Sequence, residues 1–126
     1  DSQAYLKLNT VDVFTLSSYK KRLFEKQKDN ILKTIQTPFE DVADLKGIYV
    51  DEKMPIFHEG DELIIDTNPE YEEQKYYLII NKKNRMIFPS VLTMYGDVCY
   101  IIEQSFEVEL TDHYHILGSV IYKAVI

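Results

Sequence analysis

From Gly47 onward the chain is cut into short apolar runs by turn residues, at spacings of roughly ten residues. That rhythm constrains the fold more than any other feature. Gly47-Ile48-Tyr49-Val50, Glu62 to Asp66, Tyr76 to Ile80, Arg85 to Leu92, Val98 to Ile102 and Ile116 to Val125 are the candidate strands. Thr67-Asn68-Pro69 stops the second run, and Asn81-Lys82-Lys83-Asn84 reads as a hairpin tip. Pro89 marks an edge or a bulge, because proline cannot donate to a ladder. Gly96-Asp97 is a turn, and Gly118 is a bend in the last strand. With one helix ahead of them, these strands predict a mostly β, β-rich α+β fold.

The helix is read from Leu16, Tyr19, Leu23, Gln27, Ile31 and Ile35, which recur at three- and four-residue steps, with Phe24 and Leu32 widening the stripe. Ser17 or Ser18 caps its start, since a hydroxyl accepts from a free first-turn N–H, and Pro38 ends it after Gln36. Packing on the sheet or on a twin helix is preferred over docking on an acidic partner or a membrane surface, because the stripe lacks a strong positive excess. Ala4 to Leu8 and Val11 to Phe14 read as short extended segments.

Composition adds limits. At 126 residues one compact domain is expected, and 45% hydrophobic with 13% aromatic residues argues against disorder. Cys99 is the single cysteine, which excludes an internal disulfide and a multi-cysteine zinc site and favours a reducing cytoplasm. The formal charge of −7 is uneven: residues 1–46 carry eight basic and seven acidic side chains, residues 47–126 six and 14. This change of character divides a helical arm, 1–46, from a β body, 47–126. So acidic a chain is a poor ligand for phosphate backbones. No apolar run approaches the ~18–20 residues a membrane span needs, and Asp1 to Tyr5 lacks a secretory pattern. Position 1 is not Met, which fits a processed chain or an excised domain.

The residue chemistry does not announce an enzyme. His113 and His115 stand at i, i+2, but a metal would need a further converging ligand such as His58 or a carboxylate, so they read as polar loop residues. Cys99, between Val98 and Tyr100, reads as a buried, inert thiol. Glu70-Tyr71-Glu72-Glu73, with Glu59, Asp61 and Glu62 upstream, lacks the ligand spacing of a calcium loop and reads as a solvated acidic loop. There is no P-loop, no dinucleotide-binding glycine turn and no nucleophile elbow. No cofactor and no metal is expected.

One stretch is more specific. Asp51 to Asp66, with Pro55, Gly60-Asp61 and the apolar Leu63-Ile64-Ile65, resembles the signature of the LexA and phage-repressor family of self-cleaving serine–lysine domains, with Lys53 in place of its Met. That signature is Asp-Ser-Met-x-Pro followed by Gly-Asp and an apolar strand. The order of later elements is similar: an apolar strand, a hairpin tip, a returning strand, and a final Ile116-Leu117-Gly118-Ser119-Val120-Ile121. The resemblance covers about residues 47–126 and implies a LexA-like, signal-peptidase-like β-ribbon fold. It also shows what is missing. Glu52 stands where the family has its nucleophilic serine, and Phe88 stands near the position of its catalytic lysine. A carboxylate and a phenyl ring cannot replace a hydroxyl deprotonated by a neutral, desolvated lysine. The Ala-Gly or Cys-Gly cleavage dipeptide is absent. Ser90, Ser105 and Ser119 do not precede a Gly-Asp turn, and Ser17 and Ser18 belong to the helix start.

The resemblance therefore implies a non-cleaving dimerisation and regulatory domain of a phage- or prophage-type transcriptional repressor. DNA would be read by a helix-turn-helix expected upstream, because residues 1–46 offer one convincing helix. The resemblance places pairing in the final strand region, hence at Ile116, Leu117, Val120 and Tyr122, for which ordinary core packing is the competing reading. A vestigial cleft around Glu52, Met54, Phe57 and Phe88 would hold an antirepressor or other regulatory protein, or the chain's own N-terminal arm. The alternative is a stand-alone acidic protein-binding module, such as an antirepressor or DNA mimic. Operator, inducing signal and partner identity lie beyond the sequence.

Overall fold

The computed structural model describes residues 9–28 and 30–124. The chain is mostly β, with one helix and two sheets. Its elements are β1 (Asn9–Thr15), α1 (Leu16–Glu25), β2 (Lys33–Thr37), β3 (Leu45–Tyr49), β4 (Glu62–Asp66), β5 (Tyr77–Asn81), β6 (Ile87–Ser90), β7 (Thr93–Tyr95), β8 (Val98–Glu103), β9 (Phe106–Glu109) and β10 (Tyr114–Ala124). Seven strands form one sheet in the order β2-β1-β3-β4-β10-β5-β6, and β7-β8-β9 form a three-stranded ribbon. All pairings are antiparallel except β1 with β3.

The continuous apolar run of β5 records burial on both faces. Alternation sends Leu78 and Ile80 into one core cluster and Tyr77 and Ile79 into another. The first cluster is covered by Leu16 and Tyr19 of α1 and by Val50 and Phe57 from the connection after β3. The second is covered by the ribbon through Ile101, with Cys99 and Val108 packed against it. The layers are thus helix and connection, large sheet, and ribbon. β10 is central, between β4 and β5. Its register slips between Ile116 and Gly118, so the bend expected at Gly118 is a bulge.

The helix is shorter than its stripe predicts. It ends at Glu25, where Lys26 takes a left-handed conformation (φ 53°) and its N–H donates to the Lys21 carbonyl. Of the positions that continue the stripe, only Ile35 falls in a strand, while Gln27 and Ile31 lie in the connection before it. Lys33–Thr37 is an edge strand on β1, and Pro38 follows that strand instead of ending a helix. Ile31 and Leu32 lie in the loop, about half exposed. The cap is also displaced: Thr15, not Ser17 or Ser18, accepts from the Ser18 N–H at 3.1 Å.

The composition break near Gly47 falls inside the large sheet, where Val13, Phe14 and Thr15 pair with Gly47, Ile48 and Tyr49. The expected segment Ala4 to Leu8 lies outside the described residues, as does Val125. Strands β7 and β9 carry too few uninterrupted apolar residues to be read as strands from sequence.

Candidate functional site

The Met54-Pro55 … Gly60-Asp61 segment is a tight connection between β3 and β4. Gly60 (φ 95°) donates its N–H to the Val50 carbonyl, which places its backbone in the region glycine favours. Asp61 is buried, not solvated. Its carboxylate accepts from the His58 backbone N–H at 2.8 Å and lies 3.5 Å from Lys123 Nζ. That backbone hydrogen bond first, and then the lysine charge, hold the Asp61 carboxyl below its ordinary pKa against the opposing effect of burial. Glu62 is buried as well and pairs with Lys33 of β2. Both corrections have one cause: these carboxylates begin an interior strand, and cations from other strands reach them.

The same connection is fastened to the helix. Asp51 accepts from Ser17 Oγ at 2.5 Å and from the Ser17 N–H at 3.3 Å, where a helix N-terminus favours negative charge. Glu52, at the position where the resemblance expects a serine, has Oε2 2.7 Å from Lys20 Nζ.

The four residues expected to share a cleft do not line one surface. Met54 packs against the first cluster and Phe57 is buried in it. Phe88 is buried in the second cluster, edge-to-face with Tyr114 at 6.3 Å, on the other side of the large sheet. Strand alternation explains the separation, since Ile87, not Phe88, faces the first cluster. The two segments nevertheless meet through their neighbours. Pro55 and Ile56 lie against Pro89 and Ser90 of β6, with Tyr76 and Ile102 beside them, around an apolar groove of about 300 Å3. β6 is an edge strand, so Pro89 is tolerated there as the sequence predicts.

Ile56 is the unusual residue of this groove. Its φ is +74°, and the Phe57 N–H donates across it to the Pro55 carbonyl at 2.8 Å. An i to i+2 bond around a positive φ is a tight, strained turn, rare for a β-branched residue. Its side chain is half exposed. Nothing in the sequence signals this, because isoleucine after proline is unremarkable.

Of the candidate serines, Ser90 is engaged in structure, whereas the buried Ser119 hydroxyl has no hydrogen-bond partner among the described residues. Ser90, buried, accepts from the Ile102 N–H at 2.8 Å and donates to the Val91 carbonyl at 2.7 Å. Ser119 is buried at the centre of the sheet, and Ser105 sits in the β8–β9 turn that borders the groove. Cys99 is half-buried, and burial pushes its thiol above its ordinary pKa, away from the reactive thiolate. His113 lies in a turn and is exposed, while His115 lies in β10 and is half-buried. Burial first, and then Lys82 and Arg22, lower the His115 pKa. No group of three or more His, Cys, Asp or Glu among the described residues is placed to hold a metal.

The four expected pairing residues are divided. Leu117 is buried in the first cluster, Val120 packs against that cluster, and Ile116 packs against the second. Tyr122 is exposed, with its ring edge-to-face to Phe39 at 6.4 Å. Because β10 is flanked on both sides, it has no free ladder for a partner strand.

No helix of the described residues is long and apolar enough to cross a membrane. No family model matches the chain, and no curated protein matches it.

Proposed function

We propose that the chain is a non-cleaving regulatory and dimerisation domain of the LexA and phage-repressor type, acting in the cytoplasm and using the groove beside Ile56 to hold a peptide segment of a regulatory protein. The observation that carries this reading is the groove itself. It lies where the motif segment after β3 meets the returning strand β6, and it is lined by Pro55, Ile56 and Pro89. Two further features support a loss of self-cleavage: Glu52 is paired with Lys20, and Phe88 is a core residue. Neither offers a hydroxyl or an amine for acyl transfer.

Dimerisation fits a repressor because two linked half-site readers bind far more tightly than separate ones. Any contact involving the last strand uses side chains such as Tyr122, since its backbone is already paired. Sedimentation of the chain at high micromolar concentration is expected to show a dimer, and incubation at alkaline pH is expected to yield no internal fragments. A monomer throughout overturns the dimerisation reading, and discrete cleavage products overturn the non-cleaving one.

A further inference from the structure

The ribbon β7-β8-β9 has a second face that the core does not use. Ile101 is 1% exposed and belongs to the second cluster, so alternation turns Tyr100 and Ile102 outward. The register places Glu109 opposite Tyr100 and Glu107 opposite Ile102 on that outer face. Tyr95 joins them: its ring lies 5.3 Å from that of Tyr100, and its hydroxyl is 3.3 Å from Glu107 Oε2. Tyr95 is 56% exposed and Ile102 44%. The face therefore combines two aromatic rings, an aliphatic side chain and two carboxylates.

Its charge is one-sided. Between Arg85 and Lys123 the sequence has no lysine or arginine, but it has Asp97, Glu103, Glu107, Glu109 and Asp112. Glu103 is used internally, accepting from Asn81 and Tyr114, whereas Glu107 and Glu109 form no ion pair with any described cation. Phosphate-bearing partners, whether nucleic acid or anionic lipid, are repelled by such a face. A guanidinium is the cation that suits it best, because its plane stacks on a tyrosine ring while its fork of donors meets a carboxylate.

We infer that the outer face of the ribbon docks a basic polypeptide segment of another protein, with an arginine held between Tyr95, Tyr100 and Glu107 and an adjacent aliphatic residue on Ile102. Ile102 also borders the groove, so an extended segment on the ribbon continues toward Ile56. The inference does not depend on the repressor-type reading, because the complementarity belongs to the ribbon alone.

The probe is a fluorescent peptide of alternating arginine and leucine, with a lysine–leucine peptide and a glutamate–leucine peptide as comparisons. It is titrated by anisotropy against the whole chain. The arginine peptide is expected to bind most tightly and the glutamate peptide not at all. Glu107→Gln and Tyr95→Leu should each weaken binding by about fivefold, with melting temperatures checked against the parent. Glu59→Gln, exposed and outside the ribbon, should leave binding unchanged. Equal affinity for the arginine and lysine peptides overturns the arginine assignment. Indifference to both ribbon substitutions overturns the site. Self-association of the chain that is lost in Glu107→Gln overturns the occupant, replacing a separate protein with a second copy.

Discussion

Replacing Gly118 by alanine tests how the centre of the large sheet is built. A Cβ at this position would lie 2.3 Å from the Asp66 carbonyl oxygen, 3.0 Å from its carbon and 3.3 Å from Ile65 Cδ1. The nearest obstacle is backbone, in the strand paired with β10, so no side-chain rotation relieves it. Separating the strands to ordinary contact requires a shift approaching an ångström in a close-packed interior, which places the cost near the upper end of overpacking penalties, about 3 kcal/mol. With an unfolding entropy of roughly 2.1 cal/mol/K per residue, a chain of this length loses about 11 °C in Tm.

Thermal melts followed by circular dichroism measure this directly, with coincident transitions at two wavelengths to support two-state behaviour. Gly47→Ala is the informative comparison. Its Cβ would meet Val13 Cγ2 at 2.6 Å, a side-chain methyl, with backbone atoms no closer than 3.2 Å. Combining it with Val13→Ala should cost less than the sum of the two single changes. Combining Gly118→Ala with Ile65→Val should show no such relief. A Gly118→Ala variant that melts within about 2 °C of the parent, or is restored by Ile65→Val, would refute the reasoning.

Two smaller predictions follow from single side chains. Ser90→Ala leaves the Ile102 N–H of the ribbon without its acceptor and is expected to cost about 1–3 kcal/mol in chemical denaturation, with faster amide exchange at Ile102; unchanged exchange there would count against Ser90 as the tie between β6 and β8. His115 has a lowered folded pKa, so the unfolded chain binds the extra proton first; stability should fall as pH drops through 6.5 toward the lower folded value and then level off, and His115→Gln should flatten that slope in melts between pH 8 and pH 5.

The strands that could be read from sequence are those whose side chains face the core on both sides or alternate cleanly, such as Glu62–Asp66 and Tyr77–Asn81. The stripe from Leu16 was legible but the Thr15 cap and the end at Glu25 were not, because Ile31 and Ile35 prolong a helical spacing past the left-handed Lys26. β2 was hidden in that prolonged spacing, and β9, with one half-buried residue, had no pattern to read. For the site, the family resemblance set Glu52, Met54 and Phe57 beside Phe88, whereas the groove is lined by their neighbours Pro55, Ile56 and Pro89. The resemblance could not say which neighbour faces outward, and a one-residue difference exchanged Phe88 for Pro89. The positive φ of Ile56 sits in a local turn of ordinary-looking residues, and the buried positions of Asp61 and Glu62 depend on Lys123 and Lys33, distant in the chain. No local composition encodes them.

The position of β10 has a consequence for how the molecule is made. Synthesis runs from the N-terminus, so β4 and β5 emerge well before the strand that separates them. Until residues 114–124 follow, each of those strands has an open edge of apolar residues, and the large sheet exists only as two incomplete pieces. Unpaired edges of this kind favour association with other chains. Translation that halts before Tyr114 would release a sticky fragment, whereas completing those eleven residues closes both edges in one step.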